Sequence, residues 1–182
     1  MNKHTAEKPL KISRPLLDIL SYLGYIAVGV VLALLLRAFV VCPVRVVGWS
    51  MEPTLYENDI MVITPSSYKM HDVERFDVIV VKRPHADNVL LVKRIIGLPG
   101  ETVSIRDGAV YINGELLDTD VYGAQPMDYT MEETQIPEGY VFVLGDNRNQ
   151  STDSHELGSI PIADIRGKVQ CSLIPYRNVY ER

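Results

Sequence analysis

The 182 residues carry 18 Lys/Arg against 23 Asp/Glu, a formal net charge of −5, with two cysteines. Such an acidic chain lacks the basic patch of a nucleic-acid binder. Two cysteines exclude a disulfide scaffold and a Cys-rich zinc module, and 47% hydrophobic residues exclude a disordered chain.

The charge is unevenly spread. Residues 1–41 hold five cations (Lys3, Lys8, Lys11, Arg14, Arg37) and two acids (Glu7, Asp18), which leaves 13 cations and 21 acids for the rest. Residues 1–18 read as a cytoplasmic tail. From Ile19 to Leu36 run 18 residues without a charge, and after Arg37 the apolar run continues to Val41. A helix over 19–41 is about 34 Å long, enough to cross a ~30 Å hydrocarbon core. Arg37 then lies near one end, where its side chain reaches the headgroups. The cations preceding the run put the N-terminus in the cytoplasm and residues 42–182 outside. A cleaved signal peptide fits less well, because its apolar region is usually about 7–15 residues. Val41 is too large for the position before a lipoprotein cysteine at Cys42.

After Cys42 the helical pattern gives way to short β-branched runs at 44–47, 59–64, 76–82, 89–96, 102–106, 109–112, 140–144 and 165–173. Turn signals such as Leu98-Pro99-Gly100 and Asn113-Gly114 separate them. Asp107-Gly108 predicts a tight hairpin. The body is therefore mainly β. Residues 118–138 lack periodic apolar positions and read as a long loop or small insertion.

The chemistry-bearing candidates are few. The sequence has no nucleophile elbow, zinc-protease helix or phosphate loop. His4, His71, His85 and His155 show no metal-ligand spacing, so neither a metal nor a cofactor is expected. Ser50 follows a strand through Gly48-Trp49 and precedes a turn, a place where a hydroxyl is exposed and neighbouring backbone N–H groups converge. Lys93 stands in 89–96, where alternation sets Leu91, Lys93 and Ile95 on one face and Val92, Arg94 and Ile96 on the other. One of the two adjacent cations must then sit among apolar neighbours or at an edge. Burial favours a neutral amine, which can serve a serine as its base. Residues 145–155 pack acids, hydroxyls and an arginine behind one strand. Taken singly, Ser50, Lys93 and this loop each have a structural reading: a turn serine, a lysine reaching water from an edge strand, and a loop closed by Asx turns.

Together they resemble the bacterial type I signal peptidases. The resemblance runs in order through an N-terminal anchor, Ser50-Met51-Glu52-Pro53-Thr54-Leu55, Phe76-Asp77-Val78-Ile79, Val92-Lys93-Arg94-Ile95-Ile96-Gly97-Leu98-Pro99-Gly100-Glu101, and Gly145-Asp146-Asn147-Arg148 with Ser151, Asp153 and Ser154. It implies one transmembrane helix followed by a coiled antiparallel β-sheet catalytic domain, held at the cell membrane. It implies a Ser–Lys endopeptidase that cleaves signal peptides from exported preproteins after small residues of the Ala-x-Ala type. Ser50 matches the nucleophile and Lys93 the general base. Ser151 matches a serine that orients the lysine, Asp153 a supporting acid, and Arg94 and Asp146 a structural pair. Two positions depart from the pattern. His155 stands where arginine is frequent, and Gly48 stands where some members place an oxyanion-binding serine. Met51, Leu55, Leu91 and Val92 are the expected lining of shallow substrate pockets, with core packing as their ordinary alternative. The implied partners are membrane-inserted preproteins, the lipid bilayer and the vicinity of the export machinery. Soluble self-cleaving repressors share the Ser–Lys pair but lack an anchor, and the eukaryotic-type enzymes use histidine where Lys93 stands. Presence of both Ser50 and Lys93 speaks against a binding module with a degraded site.

Overall fold

The computed structural model describes residues 14–39, 42–64, 73–84 and 89–181. The chain divides into two units, residues 1–38 and 39–182.

The first unit contains α1 (Arg14–Phe39), 26 residues and so about 39 Å long. It begins five residues before the apolar run, with Pro15 in its first turn, where a fixed φ suits a helix start. The side chains described in α1, at 18, 19 and 21–33, are exposed. Among the described residues, no helix is long and apolar enough to cross a membrane. The side chains of Arg37 and Cys42, and residues 1–13 with His4, lie outside the described ones, as do His71 and His85.

The second unit is built from strands. These are β1 (Cys42–Arg45), β2 (Ile60–Thr64), β3 (Val78–Lys82), β4 (Leu90–Gly97), β5 (Thr102–Arg106), β6 (Ala109–Ile112), β7 (Glu115–Leu116), β8 (Met131–Gln135), β9 (Tyr140–Leu144), β10 (Ile160–Pro161), β11 (Ile165–Ile174) and β12 (Tyr176–Arg177). A short helix, α2 (Ser154–Leu157), follows the acidic loop. The larger sheet runs β1-β2-β11-β3-β4-β9-β10, with β12 beside β11, and the smaller runs β7-β6-β5-β8. All pairings are antiparallel.

The larger sheet is buried on both faces at its centre. In β3, Val78 and Val80 enter one apolar cluster with Val46, Met51, Leu55 and Val169, while Ile79 and Val81 enter another with Ile95, Val143 and Ile165. A strand covered on both sides reads as a continuous apolar run rather than an alternation, as Val78-Ile79-Val80-Val81 does. A third cluster joins the small sheet to β4 and β9 through Ile96, Val103, Ile105, Phe142 and Leu144. The sheet is strongly curled: β1 and β4 are not neighbours in the ladder, yet both line one groove.

Most expected strands are present, and the differences have local causes. Asp107-Gly108 makes the β5–β6 hairpin with φ of 52° and 74°, the left-handed values a two-residue turn needs. Phe76, expected to open a strand, has φ 71°, so β3 starts two residues later. Residues 118–138 are not wholly a loop, because Met131–Gln135 pairs with β5 as β8. That strand is mostly exposed and polar, so no apolar alternation announced it.

Candidate active site

Two segments far apart in sequence meet at the groove between β1 and β4. The chain leaves β1 through Val46 and Val47, turns at Gly48 with φ 92°, and presents half-buried Ser50. Lys93 reaches across from β4, and its Nζ hydrogen-bonds Ser50 Oγ at 2.7 Å. Lys93 is only 2% exposed. Burial pushes its ammonium down from 10.5 to about 8, against the opposing pull of the Asp153 and Asp146 carboxylates. About one molecule in ten then carries a neutral amine at pH 7. As an ammonium, Lys93 donates to Ser50 Oγ; as an amine, it can accept the serine proton.

Arg94, the next residue, is fully buried on the other face of β4. The expectation that one of the two cations could lie at an edge fails, because β4 sits between β3 and β9. Arg94 forms a two-pronged ion pair with Asp146, Nε to Oδ1 at 2.9 Å and Nη2 to Oδ2 at 2.7 Å. It also donates to the carbonyls of Phe76 and Val179, and Tyr122 stacks on its guanidinium 3.6 Å from the ring centroid. Thr54 Oγ1 donates to Asp146 as well. A charge buried this deeply persists only with such complete pairing.

The loop after β9 comes close to Ser50. Asn147 N donates to Ser50 O at 3.1 Å, and Asn147 Nδ2 to Trp49 O at 3.2 Å. Gly145 fits where no larger residue can: a Cβ there would lie 2.4 Å from Ser50 O and 2.2 Å from Ser151 Oγ. Ser151 is buried beside the site, but its Oγ has no hydrogen-bond partner among the described residues, so the lysine-orienting contact is not made in this structure. Asp153 caps α2. Its Oδ2 accepts from Gly145 N at 2.9 Å, and its Oδ1 lies 2.7 Å from His155 Nδ1. That hydrogen bond raises the His155 imidazolium above its usual 6.5, with desolvation opposing.

The groove beside Ser50 and Lys93 has a volume of about 310 Å³. Of the four expected pocket residues, Met51, Leu91 and Val92 line it. Leu55 does not: it is fully buried in the core under β1 and β2. Val44, Val46, Met61, Val80 and Leu90 contribute lining that sequence reasoning missed. They read as ordinary strand residues, and only the curl of the sheet turns them toward a common space. Trp49 and Val47 are 58% and 85% exposed, so Trp49 is not a core residue.

The sequence also matches known proteins. The sequence model of the family described as signal peptidase, peptidase S26, matches residues 19–174. The chain is 39% identical over 155 residues to a probable signal peptidase I of Synechocystis sp., covering 81% of this chain and 79% of that one. It is 36% identical over 178 residues to a signal peptidase I of Leptolyngbya laminosa, covering 94% and 86%. It also matches a chloroplastic thylakoidal processing peptidase of Arabidopsis thaliana at 35% over 150 residues, spanning 44% of that longer chain. The chain belongs to the type I signal peptidase family, peptidase S26, and as a member of it is a peptidase.

Proposed function

We propose that this protein is a membrane-anchored serine endopeptidase that removes signal peptides from exported preproteins after small residues of the Ala-x-Ala type. Ser50 is the nucleophile and Lys93 its general base. The observation that carries this reading is the 2.7 Å hydrogen bond between Ser50 Oγ and a Lys93 Nζ that burial has brought to about 8.

The reaction is acyl transfer. Neutral Lys93 takes the Ser50 proton as Oγ attacks the carbonyl of the last signal-peptide residue. Backbone N–H groups around Ser50 hold the oxyanion, with the Ser50 N–H the leading donor and Gly48 shaping the turn. Loss of one such donor typically costs about 10²–10³ in rate. Lys93 then protonates the leaving amine and, neutral again, activates the water that releases the acyl group. Asp153 supports the site by holding Gly145 N in the adjacent loop, where Ser151 stands as the hydroxyl assigned to orient the lysine, and Arg94–Asp146 hold the frame.

Substrate binds extended in the groove. Among the described residues β1 pairs on one side only and ends the larger sheet, the feature an added strand requires. Met51, Leu91 and Val92, with Val44 beside them, form the floor for small side chains.

The anchor rests on the uncharged run 19–36 and the cations before it. This puts the N-terminus in the cytoplasm and residues 42–182 outside the cell membrane. Exposed Trp49 and Val47 beside Ser50 suit contact with the bilayer surface, where membrane-inserted preproteins emerge from the export machinery. Holding enzyme and substrate on one surface raises their effective concentration.

The test is cleavage of a preprotein with an Ala-x-Ala site by wild type, Ser50→Ala and Lys93→Ala. Wild type cuts at that site and both variants lose activity; near-full activity in either variant refutes the dyad. Protease added to intact spheroplasts digests the β unit and spares the N-terminal tail; the reverse overturns the topology.

A further inference from the structure

Residues 120–129 cross the back of the catalytic loop as a strap without regular secondary structure. Ordering such a stretch costs conformational entropy at every residue, so its contacts show what it is held for. Tyr122 packs on Phe76 and Arg94, Met127 joins the core beside the small sheet, and a group of polar contacts gathers on the loop 145–155. Asp120 grips the Arg148 guanidinium with both oxygens, at 2.6 and 2.8 Å. The two side chains are 6% and 3% exposed. Ala124 N donates to Asp146 O at 3.0 Å. Asn149 is clasped twice, its Oδ1 accepting from Asp128 N and its Nδ2 donating to Pro126 O. At the far end the Tyr129 ring stacks on His155, centroids 4.2 Å apart.

The line of force through Asp120 reaches the nucleophile in two steps. With two of its prongs taken by Asp120, Arg148 directs Nε to Gly145 O at 3.0 Å. Gly145 is the residue packed so tightly against Ser50 O and Ser151 Oγ that no Cβ fits. We infer that Asp120 is a positioning residue for the Ser50–Lys93 reaction: it fixes Arg148, which fixes Gly145 against Ser50 and Ser151. This rests on the Ser–Lys reading above and extends it to a segment outside every motif of the resemblance.

Neutralising Asp120 leaves a buried guanidinium without its counter-charge, and Arg148 must turn toward water. Gly145 then loses its clamp. A displacement of about 1 Å at a reacting group can cost about 10²-fold in rate. The groove that binds substrate is lined by none of these residues, so binding is spared.

The experiment measures kcat and KM for an Ala-x-Ala preprotein with full-length Asp120→Asn, Arg148→Gln, the double variant and Gly123→Ala. Each is assayed below its own unfolding transition. Gly123 is the milder probe, since a Cβ there would stand 3.1 Å from Arg148 Cζ and nudge the guanidinium without removing a charge. The inference expects Asp120→Asn to lose at least about tenfold in kcat with KM within about twofold. The double variant should be no worse than the poorer single one, because both act through one link. Gly123→Ala should lose about two- to tenfold in kcat alone, and it decides the matter if Asp120→Asn does not fold. A folded Asp120→Asn with kcat within twofold of wild type overturns the inference, as do multiplicative losses in the double variant or an unchanged Gly123→Ala. If Ser50→Ala still cuts, the Ser–Lys reading fails instead, and the two failures are distinct.

Discussion

Lys93 and Arg94 are adjacent on β4, both are buried, and they hydrogen-bond different side chains: Lys93 meets Ser50 and Arg94 meets Asp146. Strand alternation sends the two cations to opposite faces, and the sheet covers both faces there. They solve the cost of burial differently. Arg94 is held by Asp146 and two carbonyls, whereas Lys93 moves toward neutrality.

The Arg94–Asp146 pair is a buried, two-pronged ion pair supported by two backbone carbonyls. Removing one partner strands the other in a low-dielectric interior, at a cost of about 3–5 kcal/mol. Asp146→Ala is expected to lower the urea midpoint accordingly, with an unchanged m-value. A loss below about 1 kcal/mol is inconsistent with a desolvated pair.

Lys93 should cost the protein stability. Its folded value of about 8 lies below the unfolded 10.5. Below pH 8 the lysine is protonated in both states, and the folded chain bears the full burial penalty. Between 8 and 10.5 the folded state sheds its proton first, so stability rises with pH. The shift corresponds to about 3 kcal/mol. Lys93→Met is thus expected to be inactive yet more stable by up to about that amount at pH 7, with the advantage fading toward pH 10.5. Denaturant melts at pH 7 and pH 10 measure this; a Lys93→Met protein less stable than wild type at pH 7 refutes it.

His155 shows the opposite sign. Its folded value is raised, mainly by the hydrogen bond to Asp153. The pair's stabilisation is therefore complete below the unfolded pKa of about 6.5 and is lost as pH rises through the higher folded value. Thermal melts of wild type and His155→Gln should differ more at pH 6 than at pH 9. An equal difference at both leaves the imidazolium no role.

Much of this was legible in the residues, and the failures are informative. β5 and β6 announced themselves through alternation about Asp107-Gly108, and Ser50 and Lys93 stood out through strand position and burial logic. β8 did not, because Met131–Gln135 owes its strand state to pairing with β5 rather than to an apolar face. Leu55 reads like a pocket residue beside Ser50, yet the helical turn after Met51, with Leu55 N bonded to Met51 O, sends it into the core. Asp120 was invisible because its meaning depends on Arg148, 28 positions away. A lone acid in a polar stretch carries no periodicity, and only the folded contact reveals its partner.

In the proposed mechanism Lys93 works as a neutral amine beside Ser50. The pH dependence of kcat/KM for Ala-x-Ala preprotein cleavage tests it most directly, with fold monitored at each pH by circular dichroism. A neutral Lys93 gives a single ascending limb with a midpoint near 8 and about a tenfold fall per pH unit below it. A flat profile from pH 6 to pH 9 in folded protein would contradict it.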